Sequence, residues 1–196
     1  MMNVKTALRV SGFVGFIILA VTTYFLTTYF ILPKVMPIVI HEVENNLENE
    51  GVTVTPSMLS SIESTMSFAF IVGSTVGLLV GWLIMSAVMM GLLRVFRVGA
   101  RFLDTWLISG NYFYIGVIFS AITALTPLLN YEVSAIATHE NILLMLPLLG
   151  LDMAQAIIGS LLLAYLFLRV YNAGFVRTFV PILISLLIFI VISAVI

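Results

Sequence analysis

Polar residues in this chain come in short clusters, and the runs between them are too long and too apolar for a water-soluble core. Largely charge-free stretches occupy about 11–32, 66–93, 104–129, 152–168 and 178–196. A helix rises about 1.5 Å per residue, so about 20 such residues cross a hydrocarbon layer of about 30 Å. The pattern predicts an all-α, polytopic integral membrane helical bundle with five transmembrane helices in a single domain over 1–196. The longest uninterrupted run, Met66 to Leu93, carries Gly73, Gly77 and Gly81 at four-residue spacing and ends at Arg94, Arg97 and Arg101. Glycines so spaced share one helix face and let a neighbouring helix approach closely. Packing within the chain is the favoured reading of that ladder, because four other helices compete for it; contact between copies in a homo-oligomer is the alternative. Gly110 and Gly116 offer the same opportunity in the third span.

The segments between the runs have characters of their own. Beyond Pro33, Lys34 and Pro37 the residues Met36, Ile40, Val43 and Leu47 keep a 4, 3, 4 spacing on an otherwise polar stretch that ends at Gly51. That is one apolar helical stripe followed by a stop. Thr55-Pro56 has the form of an N-cap with proline at the first helical position. The segment 33–65 therefore predicts a helical hairpin standing outside the membrane, bearing Glu42, Glu44, Glu48, Glu50 and Glu63. The stretch 130–151 reads as a loop with a short interfacial or partly re-entrant helix over about 134–149, which leaves Asp152 near the N-terminus of the fourth span. Segments 94–103 and 169–177 read as tight turns.

Composition and charge orient this scheme. The chain is 62% hydrophobic and only 9% charged, far from the roughly 45–50% apolar content of soluble domains. With the N-terminus inside, Lys5, Arg9, Arg94, Arg97, Arg101, Arg169 and Arg177 share the cytoplasmic side, and Lys34 is the lone basic residue opposite. This follows the positive-inside rule and makes the hairpin and the C-terminus extracytoplasmic. Arg94, Arg97, Arg101, Arg169 and Arg177 form a cytoplasmic basic face whose plain role is topology; contact with anionic membrane lipids is a second. Asp104 beside them is expected to pair with Arg101 or Arg97. The first apolar run is too long for a signal sequence and lacks a small-x-small cleavage site, so it is read as a retained anchor. A net charge of −1 without a large basic patch excludes a nucleic-acid partner.

The two basic turns resemble each other. Leu93-Arg94-Val95-Phe96 corresponds to Leu168-Arg169-Val170-Tyr171, and Phe102-Leu103-Asp104-Thr105 to Phe175-Val176-Arg177-Thr178. Two readings stand: a parallel repeat of two helical hairpins, or chance recurrence of arginine beside apolar residues. The glycine-rich Gly73-x-x-x-Gly77-x-x-x-Gly81-Trp82-Leu83 run leads to Leu92-Leu93-Arg94. With Phe102-Leu103-Asp104-Thr105, Ile108-Ser109-Gly110-Asn111-Tyr112 and Ala173-Gly174-Phe175-Val176-Arg177-Thr178-Phe179-Val180-Pro181, it resembles the Yip1 domain family of polytopic membrane proteins. The likeness covers about 66–196, and Phe113-Tyr114-Ile115 stands where that family often has a proline. It implies five membrane helices. Without a long N-terminal polar segment or any cysteine, the expectation is a form of the prokaryotic type in the cytoplasmic membrane.

Candidate chemistry is sparse. There is no cysteine, and no hydrolase, kinase or zinc-protease motif. His41 and His139 with neighbouring glutamates could ligate a metal only if their loops met; solvated histidines are the plainer reading, so neither a metal nor another cofactor is expected. Asn111 is a candidate polar intramembrane residue. These features favour a non-enzymatic accessory or scaffold protein that binds another integral membrane protein or complex. The alternatives are a small transporter or channel lined by Ser109, Asn111, Ser120, Thr123 and Thr126, and a lipid-binding, membrane-remodelling protein.

Overall fold

The structure, a computed structural model, describes residues 3–138 and 146–195. Within them the chain is all-α. Five helices are long and apolar enough to cross a membrane, over Val4–Asn49, Pro56–Val95, Phe102–Leu125, Pro147–Tyr171 and Phe175–Ile192. The first is composite: α1 (Val4–Leu26) passes through a π-helical turn (Thr27–Ile31) into α2 (Leu32–Asn49). Pro33 has no N–H to donate, so the regular ladder cannot continue through it. Across this turn the Leu32 N–H bonds to Thr27 O, five residues back. At the far end Gly51, at φ +78°, closes α2; the Gly51 N–H reaches Glu48 O and the Val52 N–H reaches Leu47 O. This is the paired-bond stop that a left-handed residue after a helix provides. Thr55 then caps α3 (Pro56–Val95) by accepting from the Met58 N–H at 3.3 Å, and Pro56 takes the first helical position.

The third crossing, expected as one helix over 104–129, is broken. α4 (Phe102–Ser109) and α5 (Tyr112–Leu125) flank Gly110-Asn111, and α6 (Leu128–Thr138) follows Pro127. α6 lies on α2, with Leu129 and Val133 against Val35, and the Lys34 ammonium donates to Asn130 Oδ1 at 3.0 Å. α7 (Leu146–Tyr171) starts before Asp152, with Pro147 in its first turn, where a missing N–H costs little; α8 (Phe175–Val195) follows. Of the segment 134–149, positions 139–145 lie outside the described residues, and with them His139 and Glu140.

Both arginine-bearing turns contain a left-handed residue at the corresponding position, Arg97 at φ 62° and Asn172 at φ 51°. Thr105 and Thr178, also in corresponding positions, are fully buried, and each hydroxyl donates to the carbonyl four residues earlier. The two turns meet directly: the Arg101 N–H donates to the Tyr171 hydroxyl at 3.4 Å. One end of the bundle is therefore the arginine end and the other the hairpin end.

The core sits toward the arginine end. It is built from Trp82, Met85, Met89 and Leu93 of α3, Ile108 and Phe113 of the third span, Leu163 and Phe167 of α7, and Ile182 and Leu186 of α8. Buried Ser86, Ser109, Ser160 and Ser185 each donate to a carbonyl of their own helix, which satisfies the hydroxyl where no water reaches. Residues such as Val10, Phe13, Ile17 and Val21 of α1 are exposed at helical spacing, the face a lipid-contacting helix presents.

Candidate functional sites

The buried polar junction near the arginine end joins three helices. Asp104 stands in the first turn of α4 and is fully buried. A carboxylate there is favoured by the helix dipole. Its partners are the Arg9 guanidinium and the Lys5 ammonium of α1, and the Tyr171 hydroxyl of α7, which donates at 2.9 Å. The expected pairing with Arg101 or Arg97 does not form. The Asp104 side of α4 faces α1, whereas Arg97 occupies the left-handed turn and Arg101 is exposed beside it. Lys5 also stacks its charge over the Tyr171 ring at 5.7 Å. With both oxygens of the carboxylate engaged, this junction is a staple holding α1 to α4 and α7; removing one partner of a buried pair leaves an uncompensated charge.

Next to the staple the first and third spans touch backbone to backbone. A Cβ added at Gly12 would stand 1.7 Å from Leu107 O, and one at Gly15 would stand 2.6 Å from Gly110 O. At Gly110 an added Cβ would meet Gly12 O at 2.3 Å and the Trp82 ring at 2.9 Å. The Gly12-x-x-Gly15 pair was visible in the first span but carries no signal of which face it occupies. Of the glycines singled out from sequence, Gly110 thus sits in this seam. Gly116 faces Leu19 and Gln155 at ordinary contact distance, and Gly81 faces the Phe189 ring. Gly73 and Gly77 have nothing within 4 Å of the Cβ position. Gly159, which sequence reasoning passed over, accommodates the Tyr112 ring.

Arg94, Arg97, Arg101, Arg169 and Arg177 are all exposed at the arginine end. Arg94 donates to Ala100 O at 3.2 Å, and the Arg169 guanidinium lies 4.6 Å from the Tyr165 ring centre. The structure does not gather them around one point. Asn111, buried at the break in the third span, donates through its amide to Leu8 O and to Ile108 O, closing the gap to α1. Ser109 accepts from the Trp82 indole at 3.0 Å. Both are therefore used in packing, whereas Ser120 and Thr123 line open space.

That space lies in the hairpin-end half. One cavity, about 260 Å³, is walled by α1, its π turn, α5 and α7. A second, about 340 Å³, opens between α5, α7 and α8 and is mostly apolar, with Leu78, Phe113, Leu149 and Ile190 in its wall. Leu148, Asp152 and Gln155 of α7 belong to both. Asp152 is 19 residues before Tyr171, about 29 Å along the helix from the staple, so it stands near the opposite edge of the hydrocarbon. The Gln155 amide donates to the Tyr112 hydroxyl at 2.9 Å at the cavity floor. Among the described residues no three histidine, cysteine, aspartate or glutamate side chains come together to hold a metal; His41 is exposed on α2.

The hairpin end is open in another way. From Pro37 through Gly81 no residue is fully buried. Ile38, Met58, Phe68, Val72 and Val76 are among its exposed apolar side chains. What the fold and these sites define is a five-span, all-α integral membrane bundle. No family model, no curated protein and no solved structure matches the chain.

Proposed function

We propose that this chain is a non-enzymatic accessory or scaffold protein that docks another integral membrane protein or complex through its hairpin and the adjoining outer face of α3. One observation carries the reading: the 45 residues from Pro37 to Gly81 contain no fully buried position. Outside the membrane, over 37–65, two helices that touch along one seam bury little apolar surface to offset their ordering. Helical propensity alone does not hold such a projection rigid. A partner helix lying against Gly73 and Gly77 would find the close approach that no helix of this chain takes up. Glu42, Glu44, Glu48 and Glu50 give the projecting tip an acidic character that suits a basic partner surface.

In this reading the arginine end is cytoplasmic and the hairpin extracytoplasmic, in a prokaryotic cytoplasmic membrane, because basic turns are retained inside. The matching left-handed turns and buried threonines support a parallel repeat of two hairpins, with α1 stapled on. The likeness to the Yip1 domain family belongs to the same proposal and rests on the segments quoted for it.

The test is solubilisation of native membranes in mild detergent, followed by native electrophoresis and site-specific photocrosslinking from positions 48 and 77. The expected result is a complex well above the 21.6 kDa chain, with both positions crosslinked to the same integral protein. Joint Glu44→Lys and Glu48→Lys substitution should release it. A chain that migrates alone in several mild detergents and crosslinks only to lipid would overturn the proposal.

A further inference from the structure

We propose that the paired cavities form a binding site for an amphiphilic organic cation: its ammonium head against Asp152 and Gln155, its apolar body in the compartment between α5, α7 and α8. This goes beyond the docking role and uses different residues. Three observations carry it. First, Asp152 is the charged group in the walls of both cavities, and among the described residues no cation or hydrogen-bond donor engages it. Its side chain is exposed where the two cavities meet, so the carboxylate is open to a cation arriving from the hairpin end.

Second, the surrounding polar groups are uncharged oxygens. Thr23, Thr27, Ser120 and Thr123 line the first cavity, and Tyr112 lies at the floor of the second. The π turn Thr27–Ile31 forms part of the same wall. A π turn, followed here by a proline without an N–H, leaves a main-chain carbonyl short of its helical donor. One carboxylate with neutral oxygens suits a singly charged ammonium; a hard divalent ion asks for six or more oxygen ligands. Phe30, Phe119 and Tyr112 supply the aromatic faces that attract a methylated ammonium.

Third, the two compartments differ in character and meet at the acid. The second is lined chiefly by aliphatic and aromatic carbon, so it takes a chain or ring where the first takes a head. Toward the arginine end the buried core of Trp82, Ile108 and Leu163 lies beyond it.

The same chemistry is carried by the head of an amine-bearing lipid and by a free amphiphilic amine, and the test separates them. The full chain is placed in phosphatidylglycerol nanodiscs and titrated by equilibrium dialysis with octyltrimethylammonium, against tetramethylammonium and octanol as head-only and body-only probes. The expected result is saturable binding of octyltrimethylammonium, at least about tenfold tighter than either fragment. Asp152→Asn should weaken it about tenfold, as loss of a hydrogen-bonded charge implies. Leu148→Trp, which fills the junction and keeps the acid, should do the same without lowering the melting temperature, and it decides the matter if the asparagine variant does not fold. Native mass spectrometry with phosphatidylethanolamine supplies the second arm. Retention by the wild type but not by Asp152→Asn marks a lipid as the occupant; no retention alongside intact probe binding marks a free amine. Uptake that rises without saturating and equals that of empty discs, or binding unchanged in both variants, overturns the proposal.

Discussion

Replacing Gly12 by alanine should loosen the first helix from the rest of the bundle. The added methyl would stand 1.7 Å from Leu107 O, half of the 3.4 Å at which ordinary contact begins. The obstacle is a main-chain oxygen, not the tip of a flexible side chain, so α1 and α4 must part by about 1.7 Å. That displacement pulls on the Asn111 amide bond to Leu8 O, the Tyr114 hydroxyl bond to Ser11 O and the stacking of Phe16 on Trp82 at 4.8 Å. Overpacking of a tight contact costs about 1–3 kcal/mol, and the backbone nature of this one puts the estimate at the upper end. The assay is reversible unfolding by a denaturing detergent in mixed micelles, followed by tryptophan emission, with Gly73→Ala as the internal comparison. Gly73 has open space at its Cβ position, and alanine is the better helix former, so that variant should be neutral or stabilised by up to about 1 kcal/mol. Equal destabilisation by the two substitutions, or none by either, would refute the seam between α1 and the third span.

Three further outcomes follow from the same geometry. Asp104→Ala leaves Arg9 and Lys5 without their carboxylate; both are about a third exposed, so the cost should be about 2 kcal/mol, below the 3–5 kcal/mol of a wholly buried pair. Adding Arg9→Met and Lys5→Met should recover at least half of that loss in the same unfolding assay. Arg97→Gly should stabilise the chain by about 1 kcal/mol, because the left-handed conformation at φ 62° strains any residue with a Cβ. Tyr112→Phe removes the acceptor of the Gln155 amide and should cost about 0.6 kcal/mol, the average for interhelical hydrogen bonds in a membrane.

The five crossings were legible because the physics that sets them is local: runs without charge, long enough for the bilayer, bounded by arginines and polar turns. Thr55-Pro56 and Gly51 punctuated the hairpin for equally local reasons. The contacts between helices were not legible. In a membrane both the lipid-facing and the packed side of a helix are apolar, so periodicity does not reveal that Gly12 and Gly15 face inward while Gly73 and Gly77 face out. The partners of Asp104 were missed for a related reason. Nearness along the chain favoured Arg101 and Arg97, whereas Lys5 and Arg9 arrive from about a hundred residues away, once α1 docks on α4. The break at Gly110-Asn111 and the π turn before Pro33 are announced by no local pattern; at the first, the Asn111 amide donates to Leu8 O of α1, a contact made only once the helices dock. The cavity that brings Asp152 and Gln155 of α7 beside Tyr112 of α5 arises from segments that share no sequence pattern.

The most direct measurement is thiol accessibility in intact cells, and a chain without cysteine gives it a clean background. Single cysteines at positions 97, 177 and 48 would be challenged with a membrane-impermeant maleimide before and after permeabilisation. The account predicts that position 48 reacts at once, while 97 and 177 react only after the membrane is opened. Labelling of 97 and 177 from opposite sides, or of 48 together with them, would contradict the five-span arrangement, and the hairpin would no longer be a surface available to a partner.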